Sequence, residues 1–184
     1  MKKQSFIKGA TVELRLFGRE HVTQEYISWF NDPEVTEYNR HGSVKYTLEL
    51  ALEYLDEVQH SSGSIVFAII AKDTNRHIGN ISLQKIDLLS RNAEYAIIIG
   101  NKEYWGKGIA KEASRLILQH GFNELNLHRI YCGTPVKNIP MKKLAASLGF
   151  VQEGIRKEAM FKNGEFVDVI EYGLLKRKFI SERV

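Results

Sequence analysis

Residues 94–119, EYAIIIGNKEYWGKGIAKEASRLILQ, change from a strand pattern to a helix pattern across a glycine turn. The stretch opens with an apolar run at 95–99 that is rich in the β-branched residues favoured in buried strands. It then passes Gly100 and the Trp-Gly-Lys-Gly segment at 105–108. Beyond that segment, apolar and ring side chains recur at helical spacing, at Ile109, Ala113, Leu116, Ile117 and His120. The stretch therefore predicts a strand, a glycine turn and a helix in direct succession.

This turn has the properties of a phosphate site. The first turn of a helix has unpaired N–H donors, and the helix dipole favours an anion there. Gly106 and Gly108 let a ligand approach the backbone, and Lys107 adds a positive charge at the same place. A P-loop would need GxxxxGK followed by Ser or Thr, which the chain lacks. A dinucleotide fold needs GxGxxG, but Lys111 replaces the third glycine. An ordinary strand-to-helix connection is the remaining alternative.

Length and charge narrow the class of protein. A chain of 184 residues is expected to form one domain, 1–184, with a full hydrophobic core. The formal net charge of +4 suits an anionic cofactor but is too small to indicate nucleic acid. The single cysteine, Cys132, excludes an internal disulfide. The six histidines show no metal-ligand spacing, so no metal site is predicted.

Targeting signals are absent from the sequence pattern. No apolar run is long enough to span a membrane. Met1, Lys2 and Lys3 are not followed by the apolar segment of a signal peptide. A cytoplasmic protein without a membrane partner is therefore expected. The basic cluster at 176–178 is interpreted as a solvated end of the chain.

Periodicity predicts the remaining elements. Helices are expected at 21–31, at 48–58 after a capping Thr47, and at 138–148, where Pro140 falls in the first turn. Gly79 is expected at a bulge or close approach within its strand, and Asn163-Gly164 predicts a type I′ hairpin turn. The other predicted strands span 11–16, 65–71, 78–86 and 128–133, and two more close the chain.

The resulting order, β-α-α-β-β-β-α-β-α-β-β, resembles that of the GCN5-related N-acetyltransferases. Their acetyl-CoA pyrophosphate loop has the pattern Gln/Arg-x-x-Gly-x-Gly/Ala, matched here by EYWGKG at 103–108, with Glu103 in place of Gln or Arg. Further motifs are similar to the branch of ribosomal-protein N-terminal and spermidine acetyltransferases. They are WFNDPEV at 29–35, Asn138 with Gly149-Phe150, and NGEFVD at 163–168 followed by Tyr172. The resemblance covers essentially the whole chain.

The resemblance implies an α/β (α+β) fold with a single mixed, mostly antiparallel twisted sheet of about seven strands and four helices. It implies transfer of an acetyl group from acetyl-CoA to a primary amine by direct attack on the thioester. The acceptor would be a small molecule (polyamine, amino sugar or sugar nucleotide) or a protein N-terminus. Dimers are common in this branch, so a homodimer through the C-terminal strands is expected by analogy.

The resemblance also assigns roles to individual residues. The backbones of Ile97, Ile98 and Ile99 would pair with the pantetheine arm like an added strand. Asn138 would contact the arm near the thiol, and Glu94 is the candidate base or amine-binding carboxylate, with a surface acid as its alternative. Backbone N–H groups would hold the pyrophosphate at Trp105, Gly106, Lys107, Gly108, Ile109 and Ala110. Asp168 could bind a cationic substrate, although acids at strand ends are common.

The general acid is where the sequence departs from the family. Ala145 stands seven residues after Asn138, where many members carry tyrosine, and Met141 stands three after it, where the branch often carries serine. Neither side chain can donate a proton. The thiolate could leave unassisted, since a thiol pKa is about 8.5. Alternatively, a donor could come from Tyr104, Ser147 or Cys132. A third alternative is a protein that binds acetyl-CoA and transfers slowly or not at all, as a non-catalytic acyl-CoA-binding module would. A structural scaffold that binds no CoA is a separate hypothesis, and the Gly106-Lys107-Gly108 loop and Asn138 count against it.

Overall fold

The computed structural model describes residues 6–181, and its centre is one sheet of eight strands. The strands are β1 (Phe6–Lys8), β2 (Val12–Leu16), β3 (Ile65–Ala71), β4 (Arg76–Asp87), β5 (Asn92–Ile99), β6 (Arg129–Pro135), β7 (Val151–Lys162) and β8 (Glu165–Leu175). The helices are α1 (Gln24–Asn31), α2 (Leu48–His60), α3 (Ile109–Asn123), α4 (Ile139–Ser147) and α5 (Lys176–Ser181). Single 3₁₀ turns lie at Arg19–His21 and Lys102–Tyr104.

The sheet has the strand order β1-β2-β3-β4-β5-β6-β8-β7. Within the described residues, every neighbouring pair is antiparallel except β5 and β6. That parallel pair is short: Asn92 aligns with Arg129, and the pairing ends where Glu94 aligns with Tyr131. Because β5 continues to Ile99 and β6 to Pro135, the two strands separate and leave a gap in the middle of the sheet.

The two faces of the sheet pack against different helices. The larger core joins one face to α3, with Ile117, Leu118 and Phe122 fully buried. The smaller core joins the other face to α1 and α2. Strand β3 contributes to both cores, because Phe67 and Ile69 face one side while Val66, Ala68 and Ile70 face the other. Its continuous apolar run therefore reflects burial on both faces.

Several local predictions are confirmed. Asn163 and Gly164 have φ of 51° and 82°, as a type I′ turn requires. A Cβ at Gly79 would lie 2.3 Å from the carbonyl oxygen of Ile98, which is the predicted close approach. The register of β3 on β4 also shifts between Ile69 and Ile70, opposite Gly79. The mixed, mostly antiparallel sheet is confirmed, with eight strands and five helices rather than seven and four.

Three differences from the predictions have physical causes. The first helix begins at Gln24 rather than His21, because Thr23 caps it and the His21 ring accepts from the Gly18 N–H in a separate turn. Strand β1 is only three residues long, too short for an alternation to show. The cluster at 176–178 is solvent-accessible, as predicted, but it opens a helix that was not predicted, α5, which buries Phe179 against β8 and α3.

Two other expectations relate to the chain ends and to membranes. Met1, Lys2 and Lys3 lie outside the described residues. Among residues 6–181, no helix combines the length and the apolar character that crossing a membrane would require.

Candidate active site

The gap between β5 and β6 exposes backbone groups of β5. The Gly100 N–H donates to the Ile78 carbonyl at 3.0 Å, so the alternation of an antiparallel ladder directs the Ile98 backbone toward β4. By the same alternation, the backbones of Ile97 and Ile99 face the gap. The Ile99 carbonyl accepts from the Trp105 indole N–H at 2.8 Å. The predicted set of three isoleucines therefore divides into two that face the gap and one that pairs within the sheet.

The glycine turn lies at the open end of this gap. Gly106 has φ of 72° and Gly108 has φ of 79°, a backbone region that is strained for other residues. A Cβ at either position would meet nothing within 4 Å, so the backbone conformation rather than packing requires glycine here. Gly108 is the N-cap of α3 and offers no side-chain cap. The first N–H groups of α3, at Ile109 and Ala110, have no acceptor within the helix.

Charge and ring contacts place Lys107 at this turn. Its ammonium lies 5.5 Å from the centroid of the Tyr104 ring, within the range of a cation–π contact. The Tyr104 hydroxyl bonds to the Thr74 hydroxyl at 2.9 Å. Lys107 is exposed and beside the turn, where it can attract an anion.

Helix α1 and the residues that follow it hold the segment before the glycine turn in place. Trp29 packs directly on Gly100, where an added Cβ would lie 1.9 Å from the indole ring. Lys102 bonds to Asp32 at 2.8 Å and to Glu34 at 2.9 Å. The hydrogen bond from Lys102 lowers the pKa of Asp32 below its usual value. The WFNDPEV motif therefore acts, in part, as the anchor of the glycine turn.

Asn138 lies at the end of β6, on the opposite side of the gap. Its side-chain oxygen caps α4 by accepting from the Met141 N–H at 3.0 Å, and its Nδ2 donates to Thr134 at 3.0 Å. These two bonds fix the amide in one orientation. The second hydrogen on Nδ2 remains available as a donor.

Glu94 lies where the gap closes. It is the last β5 residue paired with β6, and its neighbours Ala93 and Tyr95 are buried in the α3-side core. Alternation therefore places Glu94 on the opposite face of the sheet. Its side chain is 29% exposed, and the Lys85 ammonium lies 2.7 Å from its carboxylate. The hydrogen bond to Glu94 raises the pKa of Lys85. The candidate base is thus ion-paired in the free protein.

A second carboxylate, Glu171 on β8, lies near the same place and was not predicted. It aligns with Gly133, two residues beyond the end of the β5–β6 pairing, and a Cβ on Gly133 would lie 3.1 Å from Glu171 Oε1. Arg156 Nε contacts that carboxylate at 2.6 Å. The alternation of side chains along β8 could have placed Glu171 on the same face of the sheet as Glu94. The sequence did not reveal that Gly133, which has no side chain, lies opposite Glu171 and leaves space for its carboxylate.

The candidate proton donors are poorly placed for the gap. Burial raises the pKa of the Cys132 thiol to about 12, followed by smaller effects of Glu171 and Glu94. The Ser147 hydroxyl donates to the Leu144 carbonyl on its own helix at 2.9 Å. Tyr104 lies at the glycine turn, as described above. Ala145 is fully buried.

Asp168 has a local structural partner. Its carboxylate accepts from the backbone N–H of Glu158 at 2.9 Å and from Lys157 at 2.9 Å. These bonds lower the pKa of Asp168, chiefly through Lys157. Glu158 lies within the register shift of β7, so Asp168 stabilises a bulge. Within residues 6–181, no group of three or more metal-ligating side chains is placed to hold an ion.

Together, these features define a class of protein. A sheet that opens between parallel strands offers an edge to an extended ligand, and the glycine turn beside it offers N–H donors to a phosphate group. This is the site of a transferase that takes its acyl group from an acyl-CoA. The chain belongs to the acetyltransferase (GNAT) family, whose domain model matches residues 11–151.

Known relatives agree with this membership. The chain is 32% identical over 149 residues to the spermidine N(1)-acetyltransferase of Vibrio cholerae, covering 78% of this chain and 86% of that protein. It is 35% identical over 105 residues to a Bacillus subtilis protein named as a ribosomal N-acetyltransferase, YdaF, covering 57% of each. The solved structure of the Vibrio cholerae spermidine enzyme with CoA and spermine has a TM-score of 0.85 at 27% identity, covering 94% of this chain and 99% of that one.

The predicted family, fold and co-substrate are therefore confirmed. The protein is an N-acetyltransferase of the GNAT fold, and acetyl-CoA is its acetyl donor.

Proposed function

We propose that this chain, as a single domain over 1–184, acetylates a primary amine of a small molecule: a polyamine, an amino sugar or a sugar nucleotide. The observation that carries the proposal is the position of Glu94. It lies at the closed end of the gap, on the face opposite α3, with a second carboxylate nearby at Glu171. Two carboxylates beside the reacting end of the site favour a cationic amine. The relative named for spermidine acetylation supports the polyamine class.

For the cofactor, we assign the pyrophosphate to the glycine turn and the pantetheine arm to the gap. Ile97 offers its backbone N–H and carbonyl to the arm, whereas Ile99 offers only its N–H, because its carbonyl accepts from the Trp105 indole. Ile98 pairs with β4 behind them. Asn138 donates from the opposite wall. Backbone N–H groups of Gly106, Lys107 and Gly108, with those of Ile109 and Ala110 in the first turn of α3, are the proposed phosphate donors. The Trp105 N–H, which was also predicted as a donor, bonds to the Lys102 carbonyl at 3.1 Å.

Acetyl-CoA supplies an activated thioester, and the chain's residues supply a path for the proton. An alkyl amine has a pKa of about 10.4 and must lose a proton before it attacks. Glu94 receives that proton after the incoming ammonium displaces Lys85. The displacement is easy because the Lys85 side chain is 71% exposed, and exposed ion pairs contribute only about 0–1 kcal/mol. The CoA thiolate, with a pKa of about 8.5, leaves without a dedicated acid.

Two other functions have specific observations in their favour. The similarity to YdaF favours a protein N-terminus as acceptor. The residues Met141 and Ala145, which carry no proton donor, favour a non-catalytic acyl-CoA-binding module.

A calorimetric titration with acetyl-CoA, followed by a thiol-release assay, separates these functions. The acceptors are spermidine, glucosamine, an amino-sugar nucleotide and a peptide with a free N-terminus. Rapid thiol release with one of the first three supports the proposal. Release with the peptide alone supports the ribosomal-type function. Binding without release to any acceptor supports the binding module, and no binding removes the cofactor assignment.

A further inference from the structure

Glu103 puts a carboxylate next to the glycine turn. It lies in the 3₁₀ turn at Lys102–Tyr104, and its side chain is 74% exposed. A negative charge a few ångströms from a pyrophosphate weakens binding through like-charge repulsion. The chain therefore has a charge opposed to its own ligand at the entrance to the site.

Arg76, at the start of β4, is placed to offset that charge. One guanidinium nitrogen lies 3.5 Å from the Glu103 carboxylate, and the other lies 2.8 Å from the carboxylate of Glu25 on α1. Glu25 also accepts from the side chain of Asn101, the N-cap of the 3₁₀ turn, at 3.1 Å. The guanidinium is thus held in a fixed place between α1 and the turn, as its planar fork permits.

The two neighbouring lysines do not neutralise Glu103. Lys102 is directed to Asp32 and Glu34, away from Glu103. Lys107 stands at the turn itself, over the ring of Tyr104. Removing Arg76 would therefore leave Glu25 and Glu103 uncompensated on the side of the turn that faces α1.

We propose that Arg76 is a positioning residue for the cofactor: it neutralises Glu103 and holds that carboxylate away from the pyrophosphate. The inference rests on the proposed assignment of the glycine turn to the pyrophosphate. Arg76 acts through Glu103, and no contact of Arg76 with the cofactor is needed. The negative charge of Glu103, at the position where the family pattern has Gln or Arg, is thus offset by Arg76 from strand β4.

A double-mutant cycle tests this route. CoA affinity is measured by calorimetry for the wild type, Arg76→Gln, Glu103→Gln and the double variant. We expect Arg76→Gln to weaken binding about 10-fold at low salt. The double variant should bind nearly as well as Glu103→Gln alone, because the charge of Glu103 is gone and Glu25 keeps its hydrogen bond from Asn101. The defect of Arg76→Gln should shrink as salt is raised, since both side chains are solvent-accessible.

Controls separate this effect from general charge loss and from misfolding. Arg177→Gln removes one positive charge from α5 and should leave CoA affinity unchanged. Arg76→Lys should retain most of the affinity. The inference is overturned if Arg76→Gln binds CoA like the wild type, or if the double variant is as weak as Arg76→Gln. If the wild type itself binds no CoA, the proposed function falls and the inference falls with it.

Discussion

The two sides of the gap are built from different parts of the chain. On the cofactor side, the proposed binding groups are backbone atoms, fixed by two glycines at positive φ and by the unpaired edge of β5. On the acceptor side, the candidate groups are side chains in ion pairs, Lys85 with Glu94 and Arg156 with Glu171. A backbone site depends on conformation and is hard to alter without glycine loss. A side-chain site can change its ligand by exchanging one charge.

Replacing a single glycine on the cofactor side should therefore abolish most of the CoA affinity. In Gly108→Val, the left-handed conformation is lost and two N–H donors leave the pyrophosphate, so CoA affinity should fall about 1,000-fold. Calorimetry measures the loss. Gly164→Val, at φ of 82° in the hairpin turn and also facing open space, is the matched control and should leave CoA affinity unchanged. Equal CoA affinity in Gly108→Val and the wild type would contradict the assignment of the turn.

A substitution on the acceptor side should lower turnover and leave cofactor binding unchanged. Glu94→Gln should lower kcat about 100-fold, the range of a lost general base, while CoA affinity stays within about twofold. Steady-state kinetics and calorimetry on the same preparation test both parts. Asp168→Asn removes a carboxylate that stabilises the β7 bulge and should keep most of the turnover. A larger loss of kcat in Asp168→Asn than in Glu94→Gln would indicate that Asp168, and not Glu94, is the general base.

The packing of β4 against α1 adds a pH dependence to the stability of the folded protein. His77 lies among His21, Tyr26 and Trp29, with its Nε2 near Asn80 and its Nδ1 without a partner among the described residues. Burial, the dominant cause, lowers the pKa of His77 to about 4. Between that value and 6.5 the unfolded chain binds a proton that the folded protein does not. Stability is therefore fully present above pH 6.5 and falls as the pH is lowered.

Urea unfolding at pH 7 and pH 5 measures this effect. The contribution of His77 to the loss should be about 2 kcal/mol, and His77→Gln should reduce the loss by that amount. His60, whose side chain is 76% exposed, supplies the control, because His60→Gln should leave the slope unchanged. An unchanged slope in His77→Gln would show that other groups carry the dependence.

The smallest expected effect concerns the second carboxylate. Glu171→Gln should raise the KM for a diamine about fivefold, the loss of one partly exposed charge contact, and leave a monoamine unaffected. The measurement is initial rate against acceptor concentration for a matched pair, 1,4-diaminobutane and butylamine. Equal shifts for both acceptors would exclude a role for Glu171 in recognising a second cation.

The same contrast explains what the sequence could predict. The glycine turn, α3, the hairpin turn and β3 were predictable, because each is marked in the local sequence by glycines or by the spacing of its apolar residues. Glu171 could not be assigned, because its role depends on Gly133, which comes to lie opposite it only when β6 pairs with β8. Likewise, the departure at Glu103 is visible in the sequence, but its partner Arg76 comes from a distant strand. Strand β1 was missed because it depends on β2 for its structure.

The gap between β5 and β6 also has a thermodynamic consequence. Because β5 and β6 pair over only part of their length, backbone groups inside the sheet are left unpaired. A ligand that pairs with these groups binds the folded protein and not the unfolded chain, so it stabilises the folded state. Such a ligand stabilises by RT ln(1 + [L]/Kd), or about 2.7 kcal/mol at a concentration of 100 Kd. The melting temperature of this protein should thus rise with acetyl-CoA concentration, so that its stability is linked to the supply of its own co-substrate.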